Sequence, residues 1–156
     1  MGAPPYLAMT IAKWFISWAQ AEDGDELLSN MKLQKLLYYA QGHHLAKRDA
    51  PLFGEEVQAW SHGPVVPPIY RSFRDFGARG IELPADDSFS WEDVDPDTAQ
   101  FLSMIWNTYG GYSAGRLRAM THDEWPWRDA FARGERDTAI PEPDMTTYFR
   151  QFEPEG

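Results

Sequence analysis

The most enzyme-like cluster in this sequence is His122-Asp123-Glu124. An imidazole beside carboxylates has the makings of a general base or of part of a metal site. Its neighbours favour a structural role. Thr121-His122-Asp123 falls between two short helical patterns, where Thr or Asp would cap the next helix and His122 would bond a backbone carbonyl. His43 and His44 are adjacent, so on a helix they project about 100° apart and do not readily share one ion. His44 lies on an apolar face and reads as a satisfied core histidine, while His62, just before Gly63-Pro64, reads as bonding its own turn rather than a partner. There is no cysteine, which excludes a thiolate nucleophile, a cysteine zinc site and a disulfide framework. No H-E-x-x-H, G-x-S-x-G, P-loop, G-x-G-x-x-G or kinase pattern occurs. The expectation is no catalytic residue, no metal and no cofactor.

A second group of residues has the chemistry of contact rather than of catalysis. Lys32 and Lys35 lie on one side of a helical pattern, with Tyr39 one turn further on. Trp60, His62, Pro64, Val65, Pro68 and Tyr70 follow in a segment stiffened by Gly63-Pro64 and Pro67-Pro68. Rigid backbone beside an aromatic suits a preformed binding surface, and these nine residues are the candidate partner-binding set.

The elements that must position them are legible in outline. Leu33, Leu36, Leu37, Ala40 and His44 recur at helical spacing, and Met31, Tyr38 and Leu45 form a second apolar line, so this helix should be central. Ser29 or Asn30 would cap it, Lys47-Arg48 suit its negative end, and Gly42 within it implies the close approach of another backbone. Leu7, Ile11, Trp14, Phe15 and Trp18 mark a preceding helix, ending near residues 22–25. After a turn at 51–54, residues 56–60 alternate as a short strand, for which 80–83 is the expected partner. Between these strands Pro67 or Pro68 would start a helix with Ile69, Phe73 and Phe76 inward and Gly77 as its stop. Residues 86–97 read as an acidic loop. Asp95-Pro96 starts a helix facing inward through Phe101, Leu102, Ile105, Trp106 and Tyr109, which Gly110-Gly111 stops. Helices at 114–120, 124–133 and 144–152 complete the chain, with a rigid connection at 140–143. The fold expected is mainly α: a compact single-domain helical bundle with a minor two-stranded β element, spanning 1–156 with its core at about 7–150.

The blocks around the central helix, Pro51-Leu52-Phe53 and Ala59-Trp60-x-x-Gly63-Pro64-Val65-x-Pro67-x-x-Tyr70, resemble the Panacea domain, the family of SocA-like antitoxins and many phage-associated proteins. Leu117 to Trp127 (LRAMTHDEWPW), with Ala130, Gly134, Ile140 and Tyr148-Phe149, continues the pattern over roughly residues 7–150. The resemblance implies an antitoxin that neutralises a cognate toxin by direct binding, and not an enzyme. Because one branch of the family also delivers its toxin to a Clp protease, it implies a proteolytic adaptor as a variant. A DNA-binding regulator of its own operon is the further alternative.

Composition bears on these partners. The net charge is −10, from 24 acidic and 14 basic residues, which disfavours a phosphate backbone as the ordinary partner and suits a basic protein. Aromatics make up 15% of the chain, including seven Trp, most of them expected in the core and a few on a surface. The N-terminal apolar run is broken by Lys13 and Ser17, and no segment approaches the ~20 apolar residues of a membrane span. A cytoplasmic protein is the expectation.

Overall fold

The computed structural model describes residues 2–22, 27–134 and 138–154. Its axis is α2 (Asn30–Arg48), the helix expected from the Leu33–His44 periodicity. Ser29 provides the cap: its side chain accepts from the Lys32 backbone N–H at 3.3 Å. Asn30 is instead the first helical residue and is buried, donating to the Tyr70 carbonyl at 3.1 Å and accepting from Gln34 at 2.8 Å. Every side chain from Leu33 to Ala46 is buried except His43, which is half-buried. Such a helix cannot be amphipathic in the ordinary sense, and its polar residues must find partners inside. Gln34 accepts from Val66 N–H at 2.9 Å. Gln41 accepts from Leu52 N–H at 2.8 Å and donates to the Phe53 carbonyl at 2.8 Å. These amides bolt the turn at 51–54 and the backbone at Val66 onto the helix.

Around α2 pack α1 (Ala8–Ala21), α3 (Pro67–Phe73), α4 (Pro96–Tyr109), α5 (Ala114–His122) and α7 (Glu142–Arg150), with α6 (Trp125–Ala132) bridging α5 and α7. Their starts carry the expected signals. Asp95 and Ser113 accept from the third residue of α4 and α5, Thr98 and Arg116, at 2.7 and 3.0 Å. Proline opens α3, α4, α6 and α7, where its missing N–H costs nothing. Gly77 (φ 59°) and Gly134 (φ 69°) end their helical segments in the left-handed region that favours glycine. The stretch expected as a loop at 86–97 is irregular only as far as 95, apart from a single 3-10 turn, Trp91–Asp93, because α4 already begins at Pro96. The last helix begins at Glu142 rather than Asp144, because Pro141 and Pro143 supply its entry and first turn. Gly42 does mark a close approach, but of a ring rather than a backbone: a Cβ there would lie 2.2 Å from Phe149 of α7.

The sheet corrects the sequence reading. β1 (Gln58–Trp60) pairs antiparallel not with 80–83 but with β2 (Gly63–Val65), with Ala59 opposite Pro64. The stiff Gly/Pro segment is itself the second strand. Gly63 at φ 124° permits the tight reversal through Ser61-His62, a conformation costly for other residues. Pro64 is tolerated because Ala59, its opposite number, sends its N–H the other way, to Thr138 at 2.8 Å. Ile140 N–H returns to Val57 at 2.7 Å, so residues 138–140 line the free edge of β1. Residues 80–81 instead bridge to Leu28-Ser29, with Ile81 N–H on the Leu28 carbonyl at 2.7 Å.

Candidate functional site

The β1–β2 hairpin and α3 bring three of the candidate residues together. Trp60 and Tyr70 meet edge to face with centroids 5.1 Å apart, and His62 lies 5.8 Å from each of them. All three rings are half-buried, and Pro68 beside them is exposed. The cluster is held from several directions. Trp60 Nε1 donates to Gln58 at 3.0 Å, and its carbonyl receives Trp127 Nε1 at 2.9 Å. Asn30 holds the Tyr70 carbonyl and Gln34 the Val66 N–H, both from α2. An aromatic surface fixed this way loses little side-chain freedom on binding, which is what a contact hot spot requires.

Pro64 and Val65 are buried beneath this surface and serve as its support. Lys32, Lys35 and Tyr39, expected as one contact stripe, are separated by the fold because α2 is enclosed on nearly every side. Lys32 is half-buried and stands over the Trp106 ring at 5.7 Å, facing Gly110. Lys35 and Tyr39 are interior, at 0% and 1% exposure. The Lys35 ammonium donates to the Met31 carbonyl at 3.2 Å, and burial pushes it down to about 8. The expectation that His62 bonds its own turn is not met: its Nδ1 is enclosed without a partner. His44 is half satisfied, with Nδ1 on the Ala50 carbonyl at 2.6 Å and Nε2 unpartnered.

His122, Asp123 and Glu124 point to different places. His122 stacks on Trp127, with centroids 4.0 Å apart at 8°, and bonds the Ser61 backbone as expected. Asp123 is exposed. Neither Thr121 nor Asp123 caps α6: the Thr121 hydroxyl turns back to the Arg118 carbonyl at 2.9 Å, and α6 begins at Glu124 without a side-chain cap. Glu124 turns into the core, where it accepts from Tyr38 OH at 3.0 Å and Tyr39 OH at 2.8 Å. Desolvation drives its carboxyl up to about 7, against the two hydroxyls that favour the anion. The same burial, with the Glu124 charge, raises both tyrosines. Tyr39 stacks on Tyr109 at 4.0 Å, whose hydroxyl is 2.7 Å from His43 Nε2, and burial holds His43 down at about 4. This polar centre tying α2 to α4 and α6 was not apparent from the sequence, where Tyr38 and Glu124 stand far apart with no spacing that relates them. Among the described residues no group of three His, Asp or Glu could hold a metal, and no helix is long and apolar enough to cross a membrane.

Comparison with known proteins gives these elements a family. A family model described as Antitoxin SocA-like, Panacea domain matches residues 33–128, which take in α2, the hairpin, Glu124 and Trp127. Antitoxin SocA of Caulobacter vibrioides (strain NA1000 / CB15N) is 35% identical over 116 residues, covering 69% of this chain and 61% of that protein. The chain therefore spans less than two thirds of that relative's length. No solved structure matches it. With more than half of its length under the family model, the hairpin and its supports included, this chain belongs to the SocA-like antitoxin family and carries its Panacea domain.

Proposed function

We propose that this chain is an antitoxin that neutralises a cognate toxin by direct protein–protein binding, through the face formed by Trp60, His62, Pro68 and Tyr70. The observation that carries this reading is the half-exposed aromatic cluster where the hairpin meets α3, braced from α2 and α6 and inside the family-matched region. Trp and Tyr are the residues most often responsible for binding energy in protein interfaces, and a rigid platform keeps the entropy cost of association low. The action is binding rather than catalysis, since His122 and Glu124 are committed to Trp127 and to Tyr38/Tyr39. Occlusion of the toxin, rather than chemistry on it, is the mechanism this geometry supports.

The test uses the reading frame adjacent to the gene, expressed in bacteria alone and together with this chain. The expected result is growth arrest alone, rescue together, and co-elution of the two proteins. Trp60→Ala with Tyr70→Ala should abolish co-elution, a loss of at least about 2 kcal/mol of binding, while helix content and melting stay close to the parent. A harmless neighbour that does not co-elute would overturn the antitoxin reading for that pair. Full rescue by the double variant would overturn the assignment of the face.

A further inference from the structure

Beneath the hairpin tip the structure gathers basic side chains that no carboxylate pairs with among the described residues. Lys35 is fully buried, yet its ammonium has one acceptor, the Met31 carbonyl of its own helix. It lies directly under the turn: a Cβ on Gly63 would stand 3.1 Å from Lys35 Cε, 3.4 Å from Nζ and 3.3 Å from Thr121 Oγ1. The Thr121 hydroxyl has already given its proton to the Arg118 carbonyl, so it does not compete as a donor. Arg118, on the exposed side of α5, forms no ion pair or side-chain hydrogen bond among the described residues. Two imidazole nitrogens, His62 Nδ1 and His122 Nε2, are enclosed without a partner. These four side chains come from α2, the hairpin and α5, three elements packed against one another. They feel each other: Lys35 and Arg118 each help hold both imidazoles below their usual range, after desolvation. Among the described residues no carboxylate pairs with Lys35 or Arg118. The nearest to Arg118 in sequence, Asp123, is exposed and forms no ion pair, and its charge reaches His122 more weakly than those of Arg118 and Lys35.

A buried cation normally keeps an anion beside it, because desolvating an unpaired charge is expensive. Here a chain of net charge −10 gathers a lysine, an arginine and two imidazoles with no paired carboxylate among the described residues. We propose that Lys35, His62, Arg118 and His122 form an oxyanion-binding site at the base of the hairpin, taking a carboxylate or phosphate group. Arg118 and His62 stand at its rim, and Lys35 forms its floor. Arginine and protonated imidazole donate charge-assisted hydrogen bonds to such groups. The site adjoins Trp60 and Tyr70, so the source of the group is an acidic side chain of the bound toxin, a point that rests on the antitoxin reading. An acidic protein seeking a basic partner gains orientation from one reversed charge pair.

The site is tested on this chain alone. Sodium phosphate and then sodium acetate are titrated in at constant ionic strength against sodium chloride, while the imidazole resonances of His62 and His122 are followed by NMR. Both should shift saturably and both should titrate at higher pH with anion bound. Arg118→Ala should weaken phosphate binding about tenfold. Arg118→Glu, at an exposed position that tolerates change, should raise both imidazoles without added anion and abolish phosphate binding. No saturable shift beyond chloride, or unchanged affinity in Arg118→Ala, would overturn the site. If Arg118→Glu also stops toxin co-elution, the toxin supplies the group; if co-elution persists, a small free anion does. A toxin that never co-elutes leaves the phosphate result standing.

Discussion

Glu124 and His43 lie in one buried network and respond to pH in opposite directions. Glu124 titrates at about 7 folded, against an ordinary 4.5. The native state therefore holds its proton more tightly, and the stabilisation this confers is complete below pH 4.5 and is lost as pH rises to 7. His43 titrates at about 4 folded, against 6.5. Here the unfolded chain binds the proton more tightly, and stability grows as pH rises from 4 to 6.5. Each effect amounts to roughly 3 kcal/mol at its full extent, and between pH 4.5 and 6.5 they largely cancel. Urea titrations across that window should show stability rising more steeply with pH in Glu124→Gln than in the parent, and falling in His43→Phe. Parallel curves for all three proteins would refute the opposition. None of this was legible in the residues themselves. Glu124 belonged to a polar triplet read as a junction between two short helices, and only the fold shows its carboxyl aimed at Tyr38 and Tyr39. Lys35 was legible as a helix residue but not as a buried one, since lysine at helical spacing is ordinarily a solvated position.

Among the elements, α2 was the most legible, because its apolar spacing extends over four turns and its ends carry Ser29 and Lys47-Arg48. The pairing of β1 was not. Three-residue strands carry almost no periodic signal, and Gly63-Pro64 reads as a breaker until the φ of Gly63 shows how a proline enters the ladder. Gly42 was singled out for its position, and the structure supplies the reason: α7 lies so close that the Phe149 ring occupies the place of a side chain. Gly42→Ala gains helix propensity worth about 1 kcal/mol but forces the ring aside. The net expectation is destabilisation of roughly 1–3 kcal/mol, read as a lower melting temperature. Adding Phe149→Leu should recover part of that loss. A more stable Gly42→Ala protein would mean that α7 does not seat there.

Over the whole molecule, the helical class and a small sheet were both expected from the sequence, because helix periodicity, caps and proline starts agree from one segment to the next. The sequence marked α2 as central; what it did not reveal is which elements enclose it, since they are contributed from both sides of it along the chain. The last of these is α7. Phe149 and Met145 are buried, and Phe149 touches Tyr38, Tyr39 and His43 on α2. During synthesis α2 emerges more than 90 residues before α7 begins. Until α7 follows, the Gly42 face of α2 is an open hydrophobic seam, and the Tyr38–Tyr39–Glu124 centre lacks its lid. Ribosome-bound chains ending at residue 140 should therefore be digested readily by a protease, and chains carrying residue 154 beyond the exit tunnel should resist. Equal resistance at both lengths would show that α2 is sealed earlier. Completion of the core, and with it the rigidity of the face above it, then waits for almost the whole of this stretch to be translated, so an interrupted chain would be a substrate for degradation before it could become a binder.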